Sequence, residues 1–131
     1  MEEVPFFTIG PIAVDGIEER ARQTEPGAVV SFQGVVRRDR TTQGDVAALE
    51  FEAYETMGEL EMTQIVQEVI EKWPGTHMLW QHRLGRIPVG ETSLFLVVSS
   101  PQRAEGRQAI WRFGTRPPVR PAPRGRNWRV E

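Results

Sequence analysis

The side chains able to do chemistry in this chain are mostly arginines, and they gather in two places. Arg37, Arg38 and Arg40 follow directly on the apolar stretch Gly27–Val36, and eight more arginines lie between Arg103 and Arg129. A guanidinium is a planar fork of donors that keeps its proton near neutral pH. It grips phosphate or carboxylate well and is useless as an amine nucleophile or base. Cysteine is absent, which excludes disulfides, thiolate metal sites and cysteine nucleophiles. Two histidines, His77 and His82, are too few for a typical zinc site, so no metal is expected. Each reads better as a packed or edge residue than as a ligand. Lys72 is the only lysine.

Charge is divided along the chain. Residues 1–100 carry 8 basic and 16 acidic side chains, and residues 101–131 carry 8 arginines against Glu105 and Glu131. The C-terminal region therefore meets an anion, an acidic partner or the acidic body of its own fold. With 131 residues, 39% apolar and 26% charged, the chain is read as one soluble domain over 1–131. No signal peptide or long apolar run is apparent, so a cytoplasmic protein with no membrane partner is expected.

The elements that must position these groups follow from periodicity. From Ala28 to Arg37 apolar residues alternate: Ala28, Val30, Phe32, Gly34 and Val36 on one side, Val29, Ser31, Gln33, Val35 and Arg37 on the other. Gly34 in mid-strand predicts a bulge or a close backbone approach. A strand that delivers Arg37 to a polar loop makes an anion site, and a solvated hairpin tip is the open alternative. Val46–Tyr54 alternates again, and Gly44-Asp45 before it predicts a β-hairpin between the two strands.

Elsewhere, Phe6–Ile9 reads as a short strand and Gly16–Gln23 as a short helix begun by Asp15 and Glu18. Thr56 and Glu59 have capping-box spacing. Behind them Met62, Ile65, Val66, Val69, Ile70 and Trp73 form a helical stripe that ends at Pro74-Gly75. Met57 and Met62 read as packing residues rather than a binding patch. Thr76–Leu84 is a strand and Gly85–Glu91 a turn-rich connection. Thr92–Ser99 is an apolar run suited to a central strand. Ser99 or Ser100 caps a helix with Pro101 first, running to Phe113. Thr115–Glu131, with four prolines and five arginines, should be extended. The order of elements predicts an α+β fold with a mostly antiparallel sheet and packed helices.

Several of these stretches together resemble the large, catalytic subunit of molybdopterin synthase. They are Gly27–Arg37, Leu49–Tyr54, Lys72-Trp73-Pro74, His82–Glu91, and Val97–Ser100 with Arg103-Ala104. Order and spacing agree over about residues 27–104, whereas 105–131 is a divergent Arg/Pro-rich tail. The resemblance implies an α/β-hammerhead type of fold and a homodimer. It also implies a small ubiquitin-like sulfur-carrier subunit whose thiocarboxylated C-terminus enters each protomer. Sulfur then passes to cyclic pyranopterin monophosphate, giving molybdopterin in molybdenum cofactor biosynthesis, with no cofactor or metal in the step.

On the same resemblance, Arg37 belongs to the family's Gly-x-Val-Arg pattern and would bind the substrate phosphate, with Phe32 lining the pocket. Arg103 matches the arginine of a Ser-Ser-x-His-Arg motif whose histidine is Gln102 here. The family's Leu-Lys-x-x-x-Pro-x-Trp-Lys segment has its nearest counterpart in Phe113–Pro121, which holds no lysine. No catalytic residue is therefore assigned, and Arg116 or Arg120 would complete the positive pocket. Lys72, on a helix end far from that segment, is not a substitute by sequence. The alternative function is an impaired relative that binds the small subunit or the pterin without turnover. Trp128 is the lone aromatic among the tail arginines, so no nucleic-acid partner is expected.

Overall fold

A computed structural model describes residues 4–41, 44–114, 120–121 and 128–130. The fold is built around β6 (Thr92–Ser100), the apolar run read above as a central strand, which is buried at every position from Ser93 to Ser100. Such a run stays dry only with strands on both edges and helices on both faces. Strand β2 (Ala28–Val35) pairs with one edge and β5 (His77–Pro88) with the other, both antiparallel. Beyond β6, β5 pairs with β4 (Gly44–Glu52), and β3 (Arg40–Thr41) closes the order β2-β6-β5-β4-β3. The short β1 (Phe7–Ile9) lies parallel to β5, while β7 (Arg120–Pro121) and β8 (Trp128–Val130) pair with β4. The α+β class and the mostly antiparallel sheet are as expected.

Alternation along β6 decides which helix covers which face. Phe95 and Val97 meet Ile17 and Ala21 of α1 (Val14–Arg22). Leu94, Leu96 and Val98 point the other way, to α2 (Glu55–Lys72) and α3 (Arg103–Gly114). There Met62, Ile65 and Val69 of α2 and Ala109 of α3 enclose Trp80, in one apolar cluster. Each such side chain withdrawn from water contributes roughly 1.5–3 kcal/mol before entropy is counted.

Four expectations fail. Strands β2 and β4 do not form a hairpin: β6 and β5 lie between them, because the dry strand needs both edges covered. Only the two-residue β3 folds back on β4. Residues 85–88 are not a connection but the end of β5, where Gly85 takes φ +87° opposite Phe51 and lets the strand bend from β6 toward β4. Met57 does not pack: it is exposed at the N-terminal end of α2, whereas Met62 is fully buried. Neither α1 nor α2 has a side-chain cap; their N-caps are Ala13 and Tyr54. The bulge expected at Gly34 is present, where the β2–β6 register shifts between Gly34 and Val35.

Candidate functional site

Arg37 leaves the sheet under firm control. Val36 before it is 3% exposed and packs with Phe51 and Ile87. Its amide donates to the Glu91 carbonyl at 3.0 Å and its carbonyl accepts from the Gly90 amide at 2.7 Å. The β5–β6 turn therefore holds the chain just where it delivers Arg37. The guanidinium itself is 85% exposed and meets Asp39 at 2.7 Å. Such a surface pair is worth about 0–1 kcal/mol, so an incoming dianion can displace it.

Gln102 and Arg103 are placed with equal firmness by the turn after β6. The Gly27 amide donates to the Ser100 carbonyl at 3.0 Å. Ser100 Oγ donates to the Gln102 carbonyl at 2.8 Å and accepts from the Gln102 amide at 3.2 Å. The hydroxyl of Ser100 thus shapes the bend before α3, as a capping serine should, though the helix begins at Arg103 rather than Pro101. Gln102 and Arg103 are both exposed at the N-terminal end of α3, where the helix dipole favours an anion.

These two ends are not the same place. Ala28 pairs with Ser100 and Val35 with Thr92, so Arg103 lies beyond one end of the β2–β6 ladder and Arg37 beyond the other. Eight strand residues span about 25 Å. Within one protomer Arg37 and Arg103 therefore cannot hold the same phosphate. Phe32 stands between them on β2, opposite Leu96, with 45% of its surface exposed. The backbone of Arg120 pairs with Glu52 of β4; its side chain, and all of Arg116, lie outside the described residues. A groove of about 630 Å³ between Phe6, α2 and Trp80 contains none of the six residues.

Sequence patterning missed two arrangements. Arg83 has a side chain only 11% exposed, with Nη1 2.8 Å from Glu91 Oε1, so it braces the same turn that fixes Val36. Two charged residues eight apart carry no periodic signal of such a brace. His82 is buried against Phe51, with ring centroids 5.0 Å apart, and its Nδ1 lies 2.7 Å from the Arg83 carbonyl. Burial holds its pKa below the ordinary 6.5, partly opposed by that hydrogen bond. His82 is a core residue, as the sequence suggested, and His77 lies exposed at the start of β5. Among the described residues, no group of three or more histidines and carboxylates could hold a metal ion, and no helix is long and apolar enough to cross a membrane.

Comparison with known proteins adds a family. The family model described as MoaE protein matches residues 7–112. A molybdopterin synthase catalytic subunit from Taeniopygia guttata is 39% identical over 100 residues, covering 76% of this chain. The chain spans 64% of that relative's length. A crystal structure of molybdopterin synthase from Staphylococcus aureus is 31% identical, covers 99% of this chain and 100% of its own, and has a TM-score of 0.77. A complex of subunits 1 and 2 of molybdopterin-converting factor from Helicobacter pylori shares the fold, with a TM-score of 0.76 at 16% identity over 94% of this chain and 91% of its own.

Proposed function

This chain belongs to the MoaE protein family, and from that premise we propose that it is the catalytic subunit of a molybdopterin synthase. It takes sulfur from the thiocarboxylated C-terminus of a small ubiquitin-like subunit and transfers it to cyclic pyranopterin monophosphate in the cytoplasm. The observation that carries this reading is the end-to-end match to the S. aureus synthase chain. The converting-factor complex, in which a chain of this fold occurs in a complex of two subunits, is in keeping with the small partner.

The separation of Arg37 from Arg103 supports a site shared between two copies. Strand β2 ends the sheet order, and Val35 and Phe32 on it are 52% and 45% exposed. An open edge with apolar side chains invites another strand. Two copies joined about a two-fold axis by antiparallel β2 edges bring the Arg37 end of one to the Arg103 end of the other. Each dimer then holds two sites, each with Arg37 and Phe32 from one copy and Gln102 and Arg103 from its mate. Arg116 or Arg120 would complete the positive pocket.

A planar guanidinium at each end grips the phosphate of the pterin and leaves its reacting carbons facing the incoming tail. Gln102 keeps hydrogen-bonding capacity without a proton to exchange near neutral pH. The test is a reaction of the purified chain with the thiocarboxylated small subunit and cyclic pyranopterin monophosphate, read as molybdopterin formed. Product is expected. Tight binding of both partners with no product would establish the binding-only role instead.

A further inference from the structure

The chain has one primary amine on a side chain, Lys72, three residues before Gly75, which lies against Pro101 in the bend leading to Arg103. Helix α2 lays Gly58, Met62, Ile65 and Val69 against the sheet. Its flank carrying Glu59, Thr63 and Val66 faces Phe6 and the groove on the β1 side of β5. Lys72, two turns beyond Ile65, points in nearly the direction of Ile65, turned slightly away from the Glu59–Val66 flank. Just past Lys72 the chain turns at Pro74-Gly75. A β-carbon on Gly75 would come within 3.1 Å of the Pro101 ring. Pro101 opens the bend that presents Gln102 and Arg103, so the loop that ends α2 lies against the bend that leads into α3.

Three further observations show that this corner is not already satisfied. The Lys72 ammonium stands 5.0 Å from the centre of the Trp73 ring and is exposed, with no ion-pair partner among the described residues. Arg103 is likewise exposed and without an ion pair among them. Thr76, one residue beyond Gly75 and 2% exposed, has a buried hydroxyl with no hydrogen-bond partner. It continues the β5–β6 ladder one step past the His77–Ser99 pair, on the face of Ser100.

We propose that Lys72 is a substrate-binding residue: its ammonium and the Arg103 guanidinium together hold the anionic oxygens of the phosphorylated substrate. This rests on reading the Gln102–Arg103 turn as part of the substrate site. In the two-copy arrangement it places an amine opposite the Arg37 end of the mate. The ring of Trp73 holds the ammonium in place without neutralising it, since a cation over an aromatic face keeps its charge.

The experiment compares the full chain with K72M and K72R. Inorganic phosphate is titrated while the backbone amide resonances of Gly75, Gln102 and Arg103 are followed. In parallel, KM for the pterin monophosphate and kcat are measured in the sulfur-transfer assay. K72M should weaken phosphate binding and raise KM by about tenfold, the loss of one charge-assisted hydrogen bond, with kcat changed far less. K72R, which keeps the charge, should restore both to within about threefold. Phosphate binding by K72M equal to that of the unaltered chain overturns the assignment. So does a K72R protein as weak as K72M, because the loss then lies in packing on Trp73. Failure of the sulfur-transfer assay alone, with Lys72-dependent phosphate binding intact, counts against the proposed reaction and not against this residue.

Discussion

Gly27 lies so close to Pro101 that a β-carbon on Gly27 would overlap the Pro101 carbonyl oxygen. This contact, with the hydrogen bond from the Gly27 amide to Ser100, ties the start of β2 to the bend that carries Gln102 and Arg103. Gly27→Ala must push backbone against backbone, and the side that gives way is the turn that carries Gln102 and Arg103. Stability should fall by about 1–3 kcal/mol, read from chemical denaturation, and KM for the pterin substrate should rise with it.

Arg37 and Arg103 serve different copies of one site if the sheet edges pair as proposed. R37M and R103M should each be nearly inactive alone. Mixed and allowed to exchange subunits, they should recover about a quarter of normal activity, because half the dimers are mixed and one of their two sites is intact. Absence of any recovery, with exchange confirmed by mass spectrometry, would place the two arginines in separate roles.

Val35 is half-exposed on the open edge of β2. A lysine there is the usual guard against edge-to-edge pairing. Val35→Lys should shift the chain from dimer to monomer in light scattering, while the melting temperature of the monomeric fold changes by no more than about 2–4 °C. A dimer of undiminished affinity would rule out the β2 edge as the interface.

His82 makes stability depend on pH. Its folded pKa lies below the ordinary 6.5 because burial disfavours the charged ring. The unfolded chain thus takes up a proton at a higher pH than the folded one. The contribution is complete above about 6.5 and is lost as pH falls toward the folded value. Thermal melts from pH 8 to 5 should show a decline that His82→Phe reduces, since phenylalanine keeps the ring against Phe51 and removes the proton. Parallel curves for the two proteins would assign the decline to other groups.

Much of this was legible beforehand because it is local. Period-two alternation located β2 and β4, the dry run located β6, and the three-and-four spacing of Met62, Ile65 and Val69 located α2. The full length of β5 is not legible in the sequence, because Gly85 and Pro88 look like punctuation, whereas Gly85 bends a strand that continues. Periodicity predicts a packing role for Met57 because it records spacing and not which side of a helix end the sheet reaches.

By itself the sequence determined the class of fold, the chemistry available to it and the family to which its motifs point, since residue types and spacings carry all three. Only the tertiary structure decided who neighbours whom. It put Arg37 and Arg103 at opposite ends of one ladder and brought the loop just past Lys72, which stands thirty-one residues before Arg103, against the bend that leads to Arg103. The physical reason is that strand order is set by which run must be buried on every side. A requirement of that kind is met by the whole sheet at once, so no single stretch of residues announces it.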